Sequence, residues 1–262
     1  MSNRLATAFE RAKQDGRTAL MPYITAGDPP EPELSRLIVA IAEAGADVIE
    51  IGLPFSDPIA DGPVIASAMY RALGHGMTPA TVFEEVARAR SSTDVALVGM
   101  VSDSIVAHRD RSAFVAEAAR AGFDGLIVPD ADTSDLEDLE AACRAHGLTL
   151  TLLIAPTSTP ERQEEIVSHA SGFVYLLARA GVTGERSDAP EIAARVEALR
   201  ACTELPICAG FGISSAEHVA SVGRCADGAI VGSALVRHLH DVHESGGDVE
   251  AAARTFVAGL NG

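Results

Sequence analysis

Glu33–Gly52 reads ELSRLIVAIAEAGADVIEIG. Its first half repeats apolar residues at three- and four-residue intervals, through Leu34, Leu37, Ile38 and Ile41, which lines them along one face of a helix. Ala44-Gly45-Ala46 then puts a turn residue where that helix should end. Asp47–Gly52 is a short, β-branched apolar run, the pattern of a parallel strand covered on both faces. A helix handing over through one tight turn to a buried strand is half of a right-handed βαβ crossover.

The same unit recurs from end to end. Strands are expected at Ala19–Thr25, Asp47–Gly52, Val95–Val101, Gly125–Val128, Leu148–Ile154, Phe173–Leu177, Leu205–Ala209 and Gly228–Val231. Amphipathic stretches separate them, among them Glu33–Ala44, Thr81–Arg90, Ser112–Ala121, Ser134–Ala145, Pro160–Ser168, Pro190–Arg200 and Ser215–Val222. Eight such units fit an α/β fold, a closed (β/α)8 TIM barrel with an additional N-terminal helix over MSNRLATAFERAKQDGR. An open doubly wound sheet is the alternative. The turn before the second strand has echoes at Ala121-Gly122-Phe123-Asp124 and Arg224-Cys225-Ala226-Asp227, both at the face where strands begin, so they concern folding. No linker or low-complexity tract interrupts the pattern, and residues 1–262 are read as one domain.

Composition bounds the function. With 47% hydrophobic and 22% charged residues, the chain can bury a large core. Twenty basic against 37 acidic residues leave a net charge of −17, a surface that repels nucleic-acid backbones and anionic membranes. No apolar run reaches the ~18 residues of a membrane span, and the N-terminus lacks a signal-peptide core, so a cytoplasmic protein is expected. Cys143, Cys202, Cys208 and Cys225 form no Cys-x-x-Cys pair and read as small apolar residues in a reducing compartment.

In a barrel, chemistry belongs to the loops that follow the strands. Glu50 is a carboxylate inside an apolar strand, just before that face. Burial there costs several kcal/mol unless the group is paired or protonated. The cation nearest to a strand run is Arg179, at a loop start, so a buried ion pair and a proton-transfer group of raised pKa are the two readings. Asp57 and Asp61 follow within twelve residues of Glu50, in a proline-stiffened loop. Carboxyls in unlike environments suit general acid–base chemistry. Late in the chain, Gly181-Val182-Thr183-Gly184, Gly210-Phe211-Gly212 and Gly232-Ser233 follow three strands, and the last two motifs open helices. Backbone amides at such turns can hold a dianion despite the overall charge. Tyr23, Tyr175 and Phe211 fall near strand ends, where they could line a flat apolar pocket or simply pack the core.

Glu50–Pro63 (EIGLPFSDPIADGP) closely resembles the signature of the tryptophan synthase alpha chain family. The resemblance continues through Pro22–Pro29 (PYITAGDP), Ala155–Arg162 (APTSTPER), Tyr175–Gly184 (YLLARAGVTG), Gly210–Ser215 (GFGISS) and Val231–Val236 (VGSALV), nearly the whole chain in order. It implies a (β/α)8 barrel that cleaves indole-3-glycerol phosphate to indole and glyceraldehyde 3-phosphate without metal or cofactor. It also implies Glu50 as acid–base at indole C3 and the side-chain hydroxyl, and Asp61 as partner of the indole N–H. On the same pattern Gly184, Gly212, Gly232 and Ser233 meet the phosphate, and Tyr23, Tyr175 and Phe211, with Ile127 in support, line the indole pocket. Ala178–Ala189, with Arg179 and Thr183, matches a lid. The implied partner is a pyridoxal-phosphate-dependent beta chain. Ser102-Asp103-Ser104 departs from the family's usual Tyr-x-Asn-Pro-like loop on that side, and Pro129-Asp130-Ala131-Asp132 from its frequent Pro-Asp-Leu-Pro. A lyase working without a beta chain is the alternative that these departures allow.

Overall fold

A computed structural model describes residues 3–58, 61–108, 110–177, 192–210 and 212–261 of the chain. Eight parallel strands close into a barrel in sequence order: β1 Ala19–Thr25, β2 Val48–Gly52, β3 Ala96–Met100, β4 Gly125–Ile127, β5 Thr149–Ile154, β6 Val174–Leu177, β7 Ile207–Gly210 and β8 Gly228–Val231. The helices among the described residues are α1 Arg4–Gln14, α2 Leu34–Glu43, α3 Pro63–Gly74, α4 Pro79–Ala89, α5 Asp103–His108, α6 Arg111–Ala121, α7 Leu136–Ala145, α8 Pro160–His169, α9 Ala193–Arg200, α10 Ala216–Val222, α11 Ser233–Glu244 and α12 Val249–Leu260. The expected closed barrel is therefore present, and its strands differ from the sequence reading by at most two residues at an end. Local chemistry sets the helix starts. Thr78, Asp110, Thr159 and Asp248 each accept an amide of the first turn, and prolines occupy the opening positions of α3, α4 and α8.

The turn that recurs in the sequence is a polar clamp at the bottom of the barrel. Asp47, at the entrance of β2, accepts the Leu20 amide of β1 at 2.9 Å while its own amide returns to the Leu20 carbonyl. Asp124 does the same with Leu97 (2.9 Å) between β4 and β3, and Asp227 with Ile207 (2.7 Å) between β8 and β7. At β6 the position is Ser171, whose hydroxyl accepts the Leu150 amide of β5 at 2.9 Å. Arginines compensate the carboxylates: Arg17 on Asp47, Arg90 on Asp124 and Arg200 on Asp227. Helix α1 plugs this end, with Leu5, Phe9 and Ala12 buried against the barrel interior and Phe9 5.8 Å from the Phe173 ring centroid.

Register decides what fills the lumen. Pairing runs Tyr23–Glu50–Val98–Gly125–Thr149 from β1 to β5, and Leu153–Tyr175–Cys208–Gly228–Ala19 from β5 back to β1. The stagger of about one residue per strand that closes such a barrel stacks the inward side chains in tiers of four. Glu50 shares its tier with Ile127, Tyr175 and Ile230. Met21, Val98, Thr151 and Cys208 form the tier below, and Tyr23, Met100, Leu153 and Gly210 the tier above. The outward faces of the same strands, including Ile24, Ile49, Ile51, Leu97, Leu126 and Leu176, pack against the helices as a second apolar layer.

Candidate active site

Glu50 is fully buried, and neither carboxyl oxygen finds a hydrogen-bond partner among the described residues. Of the two sequence readings, the buried ion pair has no support among the described residues; Arg179 lies outside them. Burial alone pushes the Glu50 carboxyl well above the usual carboxylate range, favouring its protonated form. Tyr175 lies in the same tier, and Tyr23 is paired with Glu50 across β1 and β2. Both phenols are held protonated, first by burial and then by nearby carboxylates: Asp61 and Glu50 for Tyr23, Glu50 and Asp61 for Tyr175. Two glycines make room for them, since a Cβ on Gly52 would overlap the Tyr23 hydroxyl and a Cβ on Gly210 the Tyr175 hydroxyl. Thr25 donates to the Tyr23 oxygen at 3.4 Å.

Asp61 lies on the rim, two residues before α3, with its amide bonded to the Pro58 carbonyl. Helix α3 anchors it there: Ile65, Ala68 and Met69 pack with Tyr23 and Val236 in an apolar cluster under the loop. The Asp61 carboxyl is pushed up to about 6, chiefly by burial and then by the charge of Asp130. Asp130 itself is tied to the loop after β3, accepting the Ser102 hydroxyl at 2.6 Å and the Asp103 amide at 2.8 Å. The two acids therefore differ: burial alone favours the protonated form of Glu50, whereas Asp61, near 6, is mostly ionised at pH 7.

The late loops supply main-chain donors. Gly212 has φ +80°, a conformation that side chains disfavour, and Ser215 caps α10 by accepting the His218 amide. Gly232 precedes Ser233, the first residue of α11, whose first-turn amides have no intrahelical acceptors. A Cβ at Gly232 would stand 3.6 Å from that of Tyr23, so the start of α11 and the tyrosine flank one space. Glu50, Asp61, Tyr23, Tyr175, Ile127, Gly232 and Ser233 thus gather at the top of the barrel. Phe211, Arg179, Thr183 and Gly184 lie outside the described residues. Among the described residues no cluster of three or more His, Cys, Asp or Glu is arranged to hold a metal ion. Three contributors escape sequence reasoning. Asp130 acts on Asp61 from a different loop, and Met100 and Leu153 join the upper tier; only register brings them into view.

With this geometry in hand, comparison with known proteins is specific. The family profile described as tryptophan synthase alpha chain matches residues 9–260. A tryptophan synthase alpha chain from Halorhodospira halophila is 44% identical over 260 residues, covering 98% of this chain and 95% of its own length. The crystal structure of tryptophan synthase subunit alpha from Legionella pneumophila str. Paris superposes with a TM-score of 0.91 at 34% identity, covering 99% of this chain and 97% of that one. Tryptophan synthase from M. tuberculosis in its aminoacrylate-bound form gives 0.87 at 32% identity, covering 99% and 98%.

Proposed function

This chain belongs to the tryptophan synthase alpha chain family, and we propose that its cleavage of indole-3-glycerol phosphate to indole and glyceraldehyde 3-phosphate is carried by Glu50 and Asp61. The chain is the alpha subunit of tryptophan biosynthesis and pairs with a beta chain. The comparisons lend no support to a lyase working alone.

The observation that carries the assignment is the placing of two acids at one end of the barrel, Glu50 buried and unpartnered among the described residues in the lumen and Asp61 on the rim loop, with burial raising both carboxyls. Glu50, neutral, gives its proton to indole C3, and the ring becomes a cationic indolenine. Asp61, ionised, stabilises the positive charge that develops at N1–H, in a site where low polarity strengthens the attraction. The Glu50 carboxylate then takes the proton of the hydroxyl on the carbon attached to C3. The C–C bond breaks, its electron pair restores the aromatic ring, and the aldehyde departs. Glu50 ends protonated, as it began, so no external acid or base is consumed. Tyr23, Tyr175 and Ile127, with Phe211, form the walls for the flat ring. The amides around Gly212, Gly232 and Ser233, with Gly184, take the phosphate, which explains how a protein of net charge −17 holds a dianion. Arg179 and Thr183 belong to the lid in this assignment. We read residues 1–262 as one barrel domain acting in the cytoplasm, which is supported by four free cysteines and by the lack, among the described residues, of a helix long and apolar enough to cross a membrane.

Indole release by the purified chain, with and without a beta chain, tests this assignment. Glu50→Gln and Asp61→Asn should each abolish most turnover while substrate still binds. Near-normal turnover of either variant removes that residue from the chemistry.

A further inference from the structure

Among the described residues, the Thr151 hydroxyl is the other fully buried side-chain polar atom inside the barrel, besides the Glu50 oxygens, that has no hydrogen-bond partner. Thr151 sits on β5, opposite Ile127 in the β4 register, and is fully buried, yet its hydroxyl makes no hydrogen bond. An unsatisfied buried hydroxyl is costly. Valine has the same shape, suits a strand equally well and carries no such cost. Fold stability therefore gives no reason for a threonine here.

Its position supplies one. Thr151 belongs to the tier directly beneath Glu50, and its companions there are Met21, Val98 and Cys208. Burial holds the Cys208 thiol protonated, and a thiol is a weak hydrogen-bonding group. The threonine hydroxyl is thus the strong hydrogen-bonding group of that tier. It is also the type of group that an acid cycling between two states requires. A carboxylic acid needs an acceptor for its O–H and a carboxylate needs a donor; a hydroxyl that rotates about its C–O bond serves as either.

We propose that Thr151 is a positioning residue for Glu50, its hydroxyl supporting the carboxyl from below, directly or through one bridging water, in both protonation states of the catalytic cycle. The inference rests on Glu50 being the acid–base. It adds that the aim of Glu50 toward the substrate is held from the barrel interior, by a residue that never touches the substrate.

The test is steady-state indole release by Thr151→Val, Thr151→Ser and Thr151→Ala, with the beta chain present, alongside thermal unfolding of each. Thr151→Val should lower kcat between about ten- and a hundredfold, the worth of a hydrogen bond to a charged group, with KM nearly unchanged. Its unfolding midpoint should equal or exceed that of the parent, and Thr151→Ser should recover most of the turnover. Should Thr151→Val not fold, Thr151→Ala reads the same loss of kcat. Parental kcat in the folded variant lacking the hydroxyl overturns the proposal. So does a lowered midpoint with turnover that serine fails to restore, which would mark a packing role. Glu50→Gln, run in parallel, separates the two levels: if it retains turnover, the assignment of Glu50 itself fails, whatever Thr151 does.

Discussion

Replacing Glu50 by glutamine should give a protein whose stability advantage over its parent grows as pH rises, while making it inactive. Among the described residues the buried Glu50 carboxyl has no partner, and burial raises it well above an ordinary glutamate. A group raised in this way contributes fully to stability below its unfolded value, about pH 4.3, and loses that contribution as pH climbs toward its folded value. In that interval the folded protein must keep a proton that the unfolded chain releases, at a cost of ~1.4 kcal/mol per pH unit. Glutamine is neutral at every pH and has no such dependence. As pH rises above the unfolded value, the stability difference between Glu50→Gln and its parent should therefore widen in favour of the variant, by up to ~1.4 kcal/mol per pH unit, or roughly 2–4 °C in midpoint for a chain of this size. Paired thermal or urea unfolding across that range measures it. Indole release on the same samples should be lower by about 10²- to 10⁴-fold, the usual worth of general acid–base catalysis. A difference that stays constant with pH would refute the raised pKa, and with it the division of labour between the two acids.

The Asp61 carboxyl, raised to about 6, must be ionised to act, so kcat/KM should fall as pH drops through that value. Asp130→Asn removes the charge that helps raise it and should move this acid limb to lower pH; an unmoved limb would separate the two residues. Asp124→Ala strips the acceptor from the Leu97 amide and leaves the nearly buried Arg90 uncompensated, with an expected loss of ~3–5 kcal/mol by denaturant unfolding. Gly52→Ala should cost about 1–3 kcal/mol, because the new methyl overlaps the Tyr23 hydroxyl. Tyr23→Phe should give part of that back in the double variant, and strict additivity of the two changes would count against the clash.

The barrel was legible because buried parallel strands leave β-branched runs, and their spacing by amphipathic stretches admits few topologies. Glu50 stood out for the same reason, as a charge in a run where burial forbids one. The phosphate turns were visible through their glycines. Other features were not, for physical reasons. Ser171 performs at β6 the task of Asp47, Asp124 and Asp227, but a serine breaks the Ala-Gly-x-Asp wording while keeping the acceptor. The influence of Asp130 on Asp61 crosses from one loop to another, and nothing in their spacing of nearly seventy residues announces it. The tier of Thr151 depends on shear, a property of the closed sheet rather than of any strand in it. Arg71, bound through both Nε and Nη2 to Asp28 at 2.7 Å, ties α3 to the loop after β1 and so steadies the Asp61 segment, again by a contact between distant stretches.

The bottom clamps join β1 to β2, β3 to β4, β5 to β6 and β7 to β8, and among the described residues the same amide-to-side-chain lock does not recur at the four seams between these pairs. The barrel is accordingly a ring of four two-staved quarters, each carrying its own fastening. Opening the chain at a seam, by circular permutation or by splitting it into two fragments, leaves every fastening intact. Cutting between the staves of one quarter severs the covalent link that brings a lock and its amide together, so reassembly from pieces should favour even-numbered breaks, after the second, fourth or sixth strand.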